Sequence, residues 1–166
     1  CGGNDQFAGK TQIMKSARRK AREFAVQGLY QWQMAQDTPA RIEQNLAENQ
    51  GFTKCDISLL RTTLYGAIKH VDTLKPALEP YLDRGWDEVS PVERGVLLVA
   101  AFELVHMPET PYPVIINEAI ELSKTFGGNE GHKFINGVLD KFVAQVRATE
   151  VNAARTQRGG RSDVSA

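Results

Sequence analysis

Along most of the chain apolar residues return at steps of three and four, the spacing of helices with one buried side. Over 17–32, at about 100° per residue, Ala17, Ala21, Phe24, Ala25, Gly28, Leu29 and Trp32 fall on one side and must be buried. Arg19, Arg22, Glu23, Val26 and Tyr30 are assigned to the other, solvated side. Arg19 and Tyr30 are about three turns apart and point the same way. Ser16 is the expected N-cap, and the helix should end at Gln36, before the break Asp37-Thr38-Pro39. Pro39 suits the first turn of a short helix reaching Gln50, with Ile42 and Leu46 inward and Gly51 as its stop.

Asp56 caps the next helix, whose inward row is Ile57, Leu60, Leu64, Ala67, Ile68 and Val71. Pro76 interrupts the rhythm, and Leu74 to Leu82 continues it with a kink or frayed end at Pro80. Ser90-Pro91 is an N-cap followed by proline, and Glu93 completes a capping box. Val92 to His106 is apolar almost all round, which places it in the middle of a bundle. Pro108, Pro111 and Pro113 make a stiff connection to a helix from Val114 to Phe126, which Gly127-Gly128 should stop. Asn129 is the expected cap of the last helix, which runs through Arg147 with Ile135, Val138, Leu139, Phe142 and Val146 inward. No segment sustains a two-residue alternation, so no sheet is expected. The pattern predicts one all-helical domain over 15–148, between disordered tails at 1–14 and 149–166.

The 166 residues suffice for one core, and a hydrophobic share of 42% implies a packed globule. Net charge is zero, but its distribution is uneven. Lys10, Lys15, Arg18, Arg19, Lys20 and Arg22 follow one another with no acid between them. Glu79, Asp83, Asp87, Glu88 and Glu93 face only Arg84 over their own stretch. The first run would attract a polyanion and the second a basic partner. Cations in the first turns of a helix oppose its dipole, a modest cost that favours a functional reason over plain solvation.

Cys1 and Cys55 form neither a disulfide framework nor a zinc cluster and fit a reducing, cytoplasmic setting. No apolar run has membrane-spanning length. The start at Cys1 also admits a processed, lipid-anchored chain, although no signal segment precedes it. Charged residues follow Arg18-Arg19, unlike an export signal.

Enzyme signatures are missing. His70, His106 and His132 lie on different predicted helices without metal-ligand spacing, and there is no nucleophile elbow, P-loop or dinucleotide fingerprint. Phe126-Gly-Gly-Asn-Glu-Gly131 follows no strand and reads as a turn between helices. Trp32 reads as core, whereas Tyr30 is either a rim residue or an exposed ring. Phe134 lies at the edge of the apolar stripe, on a flank with Glu130, Gly137 and Lys141, and is either core rim or a stacking ring. Asn117-Glu118 and Asn136 look like buried polar cross-links between helices.

Four stretches together resemble the NusB family of bacterial transcription antitermination factors. They are Ala17-Arg-Arg-Lys-Ala-Arg-Glu-Phe-Ala-Val-Gln-Gly-Leu-Tyr30, Val92-Glu-Arg-Gly-Val-Leu-Leu98, Ile116-Asn-Glu-Ala-Ile-Glu-Leu-Ser-Lys124 and His132-Lys-Phe-Ile-Asn-Gly-Val-Leu-Asp140. Their order and spacing cover about residues 15–147. The resemblance implies a seven-helix fold of two packed bundles, no enzymatic activity and no cofactor. It implies binding of single-stranded boxA RNA from ribosomal RNA leaders, together with NusE, a small-subunit ribosomal protein, in a complex with RNA polymerase. It admits both a monomer and a homodimer.

Carried over to this sequence, the RNA-binding residues are Arg18, Arg19, Lys20, Arg22, Tyr30, Glu130, Lys133 and Phe134, and the partner-binding residues are Tyr30 and Glu93. Glu130 stands where the family pattern has Asp, and Lys20 replaces a frequent Arg, keeping the charge but losing the planar fork. NusB-like domains also open ribosomal RNA cytosine methyltransferases, and a purely protein-binding helical module is a third reading. The expected mechanism is a scaffold in which cations grip phosphates, rings meet splayed bases, and the acidic stretch faces the ribosomal protein.

Overall fold

The computed structural model describes residues 3–126 and 130–164, with side chains described over 17–126 and 130–156. Eight α-helices make up the described fold: α1 (Gly3–Ala35), α2 (Pro39–Leu46), α3 (Ile57–Lys69), α4 (Val71–Leu78), α5 (Pro91–His106), α6 (Tyr112–Phe126), α7 (Gly131–Val146) and α8 (Ala148–Val164). Short 3-10 turns lie at Phe52–Lys54, Glu79–Tyr81 and Trp86–Glu88. The described residues contain no strand.

The caps follow local chemistry. Asp56 accepts from the Leu59 N–H at 3.0 Å, and the Thr38 hydroxyl accepts from Arg41 N–H ahead of Pro39. Gln36 turns the chain between α1 and α2 with φ 53, a left-handed conformation that costs a non-glycine residue. The Ser90 hydroxyl accepts from Glu93 N–H and donates to Glu93 Oε1 at 2.9 Å. This contact closes the predicted capping box through the two side chains.

Several sequence expectations change. Ser16 is not a cap, because α1 starts at Gly3 and runs through it. The predicted cap Asn129 and the stop Gly127-Gly128 lie outside the described residues. Pro76 sits inside α4, sixth of its eight residues, and the helix ends two residues later at Leu78. The C-terminal stretch continues as α8, where Val151 is buried and gives that helix a foothold beyond Arg147.

The helix α5 sits at the centre and packs against α1, α3, α4, α6 and α7. One bundle gathers α1–α3 and the other α4–α7, and α5 joins them. The packing is close: a Cβ on Gly66 of α3 would lie 2.3 Å from the Phe102 ring of α5. A Cβ on Gly28 would lie 2.9 Å from Leu64. Ten consecutive residues, Gly95 to Leu104, are buried in α5, as its all-round apolar character requires. Val146, assigned inward by periodicity, is exposed at its helix end, and so is Val105 at the end of the largely apolar α5.

Candidate nucleic-acid interface

α1 is covered on two sides, by α3 and by α5, so its solvated strip is narrower than its polar residues suggest. Val26 is buried, with its backbone oxygen 3.4 Å from a Cβ placed on Gly95. Arg22 is buried as well: its Nε and Nη2 donate to the two carboxylate oxygens of Glu103 at 3.0 and 2.8 Å. Burial depresses the Arg22 pKa, but the hydrogen-bonded Glu103 carboxylate outweighs it and raises the value overall. Arg22 is therefore corrected from a phosphate contact to an internal ion pair, and Val26 from the solvated face to the core.

Arg18, Arg19 and Lys20 remain accessible. Arg18 is 52% exposed and lies 3.8 Å from Asp56, a loose pairing. Lys20 is half-buried and has no ion-pair partner among the described residues. Arg19 pairs with Glu118 on α6. Farther along the same strip, Tyr30 is 44% exposed and Met34 55%.

Tyr30 shares a shallow apolar pocket of about 200 Å³ with Val26, Gln27, Val92 and Phe126. Glu93 adjoins this pocket, and its carboxylate lies 3.9 Å from where a Cβ on Gly131 would sit, at the start of α7. An exposed ring, an apolar recess and an acid thus meet where α1, α5 and α6 converge. That combination suits a partner segment carrying an apolar side chain beside a basic one.

Phe134 belongs to a second cluster. It is half-buried against the core, and the Arg84 guanidinium lies 4.3 Å from its ring centre. Tyr81, Asp83, Lys133 and Lys141 line the same shallow pocket, while Lys133 lies 3.4 Å from Glu130, both highly exposed. Phe134 is therefore both core rim and a ring edge at the surface. Arg84, Tyr81 and Lys141 were not among the predicted site residues. Arg84 and Tyr81 lie between α4 and α5, where no periodicity indicates what they approach, and Arg84 is the lone cation of an acidic stretch. Asn117 and Asn136 are exposed, so neither is the buried cross-link expected of it, whereas the part-buried Glu118 does link α6 to α1.

His70 and His106 do come together, with ring centres 4.3 Å apart, on α5's far end. Among the described residues, no group of three or more His, Cys, Asp or Glu is placed to hold a metal ion, and no helix is long and apolar enough to cross a membrane.

These features define a class: an all-helical bundle with an open cationic helix face, an apolar recess and a charged loop beside a half-buried ring. The pattern of the NusB family matches residues 19–144. The chain is 60% identical over 146 residues to the transcription antitermination protein NusB of Chromobacterium violaceum, covering 87% of this chain and 98% of the relative. It is 57% identical to that of Laribacter hongkongensis over 87% of this chain and 88% of the relative. NusB of T. maritima superposes with a TM-score of 0.67 at 29% identity, over 77% of this chain and 91% of that one. A NusB structure solved with NusE and double-stranded RNA shares the fold, with a TM-score of 0.66 at 21% identity over 75% and 94% of the two chains. The chain belongs to the NusB family.

Proposed function

We propose that this chain is a transcription antitermination factor that binds boxA-type single-stranded RNA of ribosomal RNA leaders together with NusE, and so joins a complex that keeps RNA polymerase transcribing. The family match over 19–144 is the observation that carries this reading. The surface supports it, with one amendment: the phosphate-gripping group is Arg18, Arg19 and Lys20, without Arg22. Phe134, Lys133 and Glu130, joined by Arg84, offer a ring and charges to the bases and backbone. Tyr30 and Glu93 face the basic ribosomal protein. Two moderate affinities on one rigid body reinforce each other when both partners are present on the same assembly.

Titration of a fluorescent boxA oligonucleotide at several salt concentrations tests the RNA half. Replacing Arg18→Ala and Lys20→Ala together should flatten the dependence of log affinity on log salt by about 1.4, which is about 0.7 for each lost single-strand phosphate contact. Tyr30→Ala should weaken capture of NusE more than tenfold, given about 1.4 kcal/mol for each tenfold step. An unchanged salt slope in the double variant would remove the basic run from the site.

A further inference from the structure

Arg19 is held differently from the cations beside it. Its Nε and Nη2 donate to separate oxygens of Glu118, each at 3.0 Å, in a planar fork. Arg19 keeps 43% of its side-chain surface open, whereas Glu118 keeps only 16%. The hydrogen bond from Glu118 raises the Arg19 pKa most, and the charges of Glu118, Glu121 and Glu23 add to it. Among the described residues Arg18, by contrast, forms an ion pair only with Asp56 at 3.8 Å, and Lys20 forms none.

Pulling Arg19 out of the fork would strand a largely covered carboxylate, an expensive state. Arg19 therefore keeps this geometry when something binds nearby. Its Nη1 donates to no group among the described residues and is the edge left for another acceptor.

We infer that Glu118 is a positioning residue for RNA binding: it locks Arg19 with one N–H edge outward and cancels its net charge in place. The inference rests on the RNA reading above. Arg19 then gives phosphate a directed hydrogen bond but releases almost no counterion. The salt dependence of binding counts the free cations, Arg18 and Lys20, and not the whole arginine-rich run.

The test is anisotropy of a single-stranded boxA oligonucleotide with the full chain across a salt series. Removing the whole pair, Arg19→Ala with Glu118→Ala, should lower affinity severalfold and leave the salt slope unchanged, while Arg18→Ala should flatten the slope by about 0.7. Glu118→Gln leaves an acceptor oxygen for Arg19 but removes the charge. Its slope should steepen by about 0.7 with tighter binding at low salt, and adding Arg19→Ala should return the slope to that of the wild type. A wild-type slope in folded Glu118→Gln overturns the inference and leaves the RNA reading standing. If Glu118→Gln does not fold, the pair-deleted Arg19→Ala/Glu118→Ala and Arg18→Ala decide, and equal flattening by both overturns the inference. Folded wild type that shows no salt-dependent RNA binding overturns the RNA reading, and the inference with it.

Discussion

At the scale of single residues, Arg22 shows what a run of like charges conceals. Arg18, Arg19, Lys20 and Arg22 look equivalent in the sequence, yet the last is buried against Glu103. A signal was present. Arg22 stands seven residues before Leu29, a spacing that falls about 20° short of two full turns. It therefore lies in the row of Ala25, Val26 and Leu29, all of them buried. The sequence marks that row as a candidate for burial, but only the neighbouring α5 supplies the carboxylate that makes it tolerable. Breaking the pair should be severe. Arg22→Ala leaves Glu103 charged and uncompensated, and urea melts should show a loss of about 3–5 kcal/mol. Replacing both residues by leucine should recover most of it, since well-packed apolar pairs often match a buried ion pair.

At the scale of elements, α5 is pinned at both ends. Ser90 closes its start in the manner the sequence announces. Its end is closed from a distance by Arg147, the residue after α7, which is buried. The Arg147 guanidinium donates to the backbone oxygens of Leu104 at 3.0 Å, Glu103 at 3.2 Å and Met107 at 2.8 Å, and also to that of Thr110. A cation at a helix C-terminus also complements the dipole, and Glu150 lies 3.6 Å away to balance it. Thermal melts should show Arg147→Ala destabilised by about 2–4 kcal/mol, because several covered carbonyls lose their donor. Arg147→Lys should recover less than half of that, since an ammonium cannot reproduce the planar fork.

The starts of α3 and α5 were legible because caps act over three residues, as at Asp56 and Ser90, whereas that of α1 was not. The role of Arg147 was not, because its acceptors lie 37 to 44 residues away in the chain. The clustering of Phe134 with Arg84 was hidden for the same reason. Tyr30 and the apolar side of α1 were legible from periodicity alone.

At the scale of the whole molecule, His70, Phe102 and His106 form a stack linking the α3–α4 junction to the end of α5. His106 is exposed, but partial desolvation of its ring, and then the neighbouring His70, hold its pKa below the ordinary value. In the unfolded chain it titrates normally, so the unfolded state binds the proton more readily. This contribution to stability is full above about pH 6.5 and is lost as pH falls through the ordinary histidine range toward the folded value. Its share of the melting temperature should therefore fall slightly between about pH 8 and about pH 5.5, and the difference between wild type and His106→Gln across that range reads it.

The central position of α5 also bears on how the two surfaces communicate. Arg22 on α1 is tied to Glu103 of α5, and the Tyr30 recess is walled by Val92 of the same helix. The cationic strip and the recess are thus mounted on two rods riveted side by side, with no hinge between them. Two visitors to such a molecule are expected to be coupled by proximity more than by a relayed change of shape. Any cooperation between them comes from their meeting on a shared, unbending platform, as two hands on one rail are brought together by the rail itself.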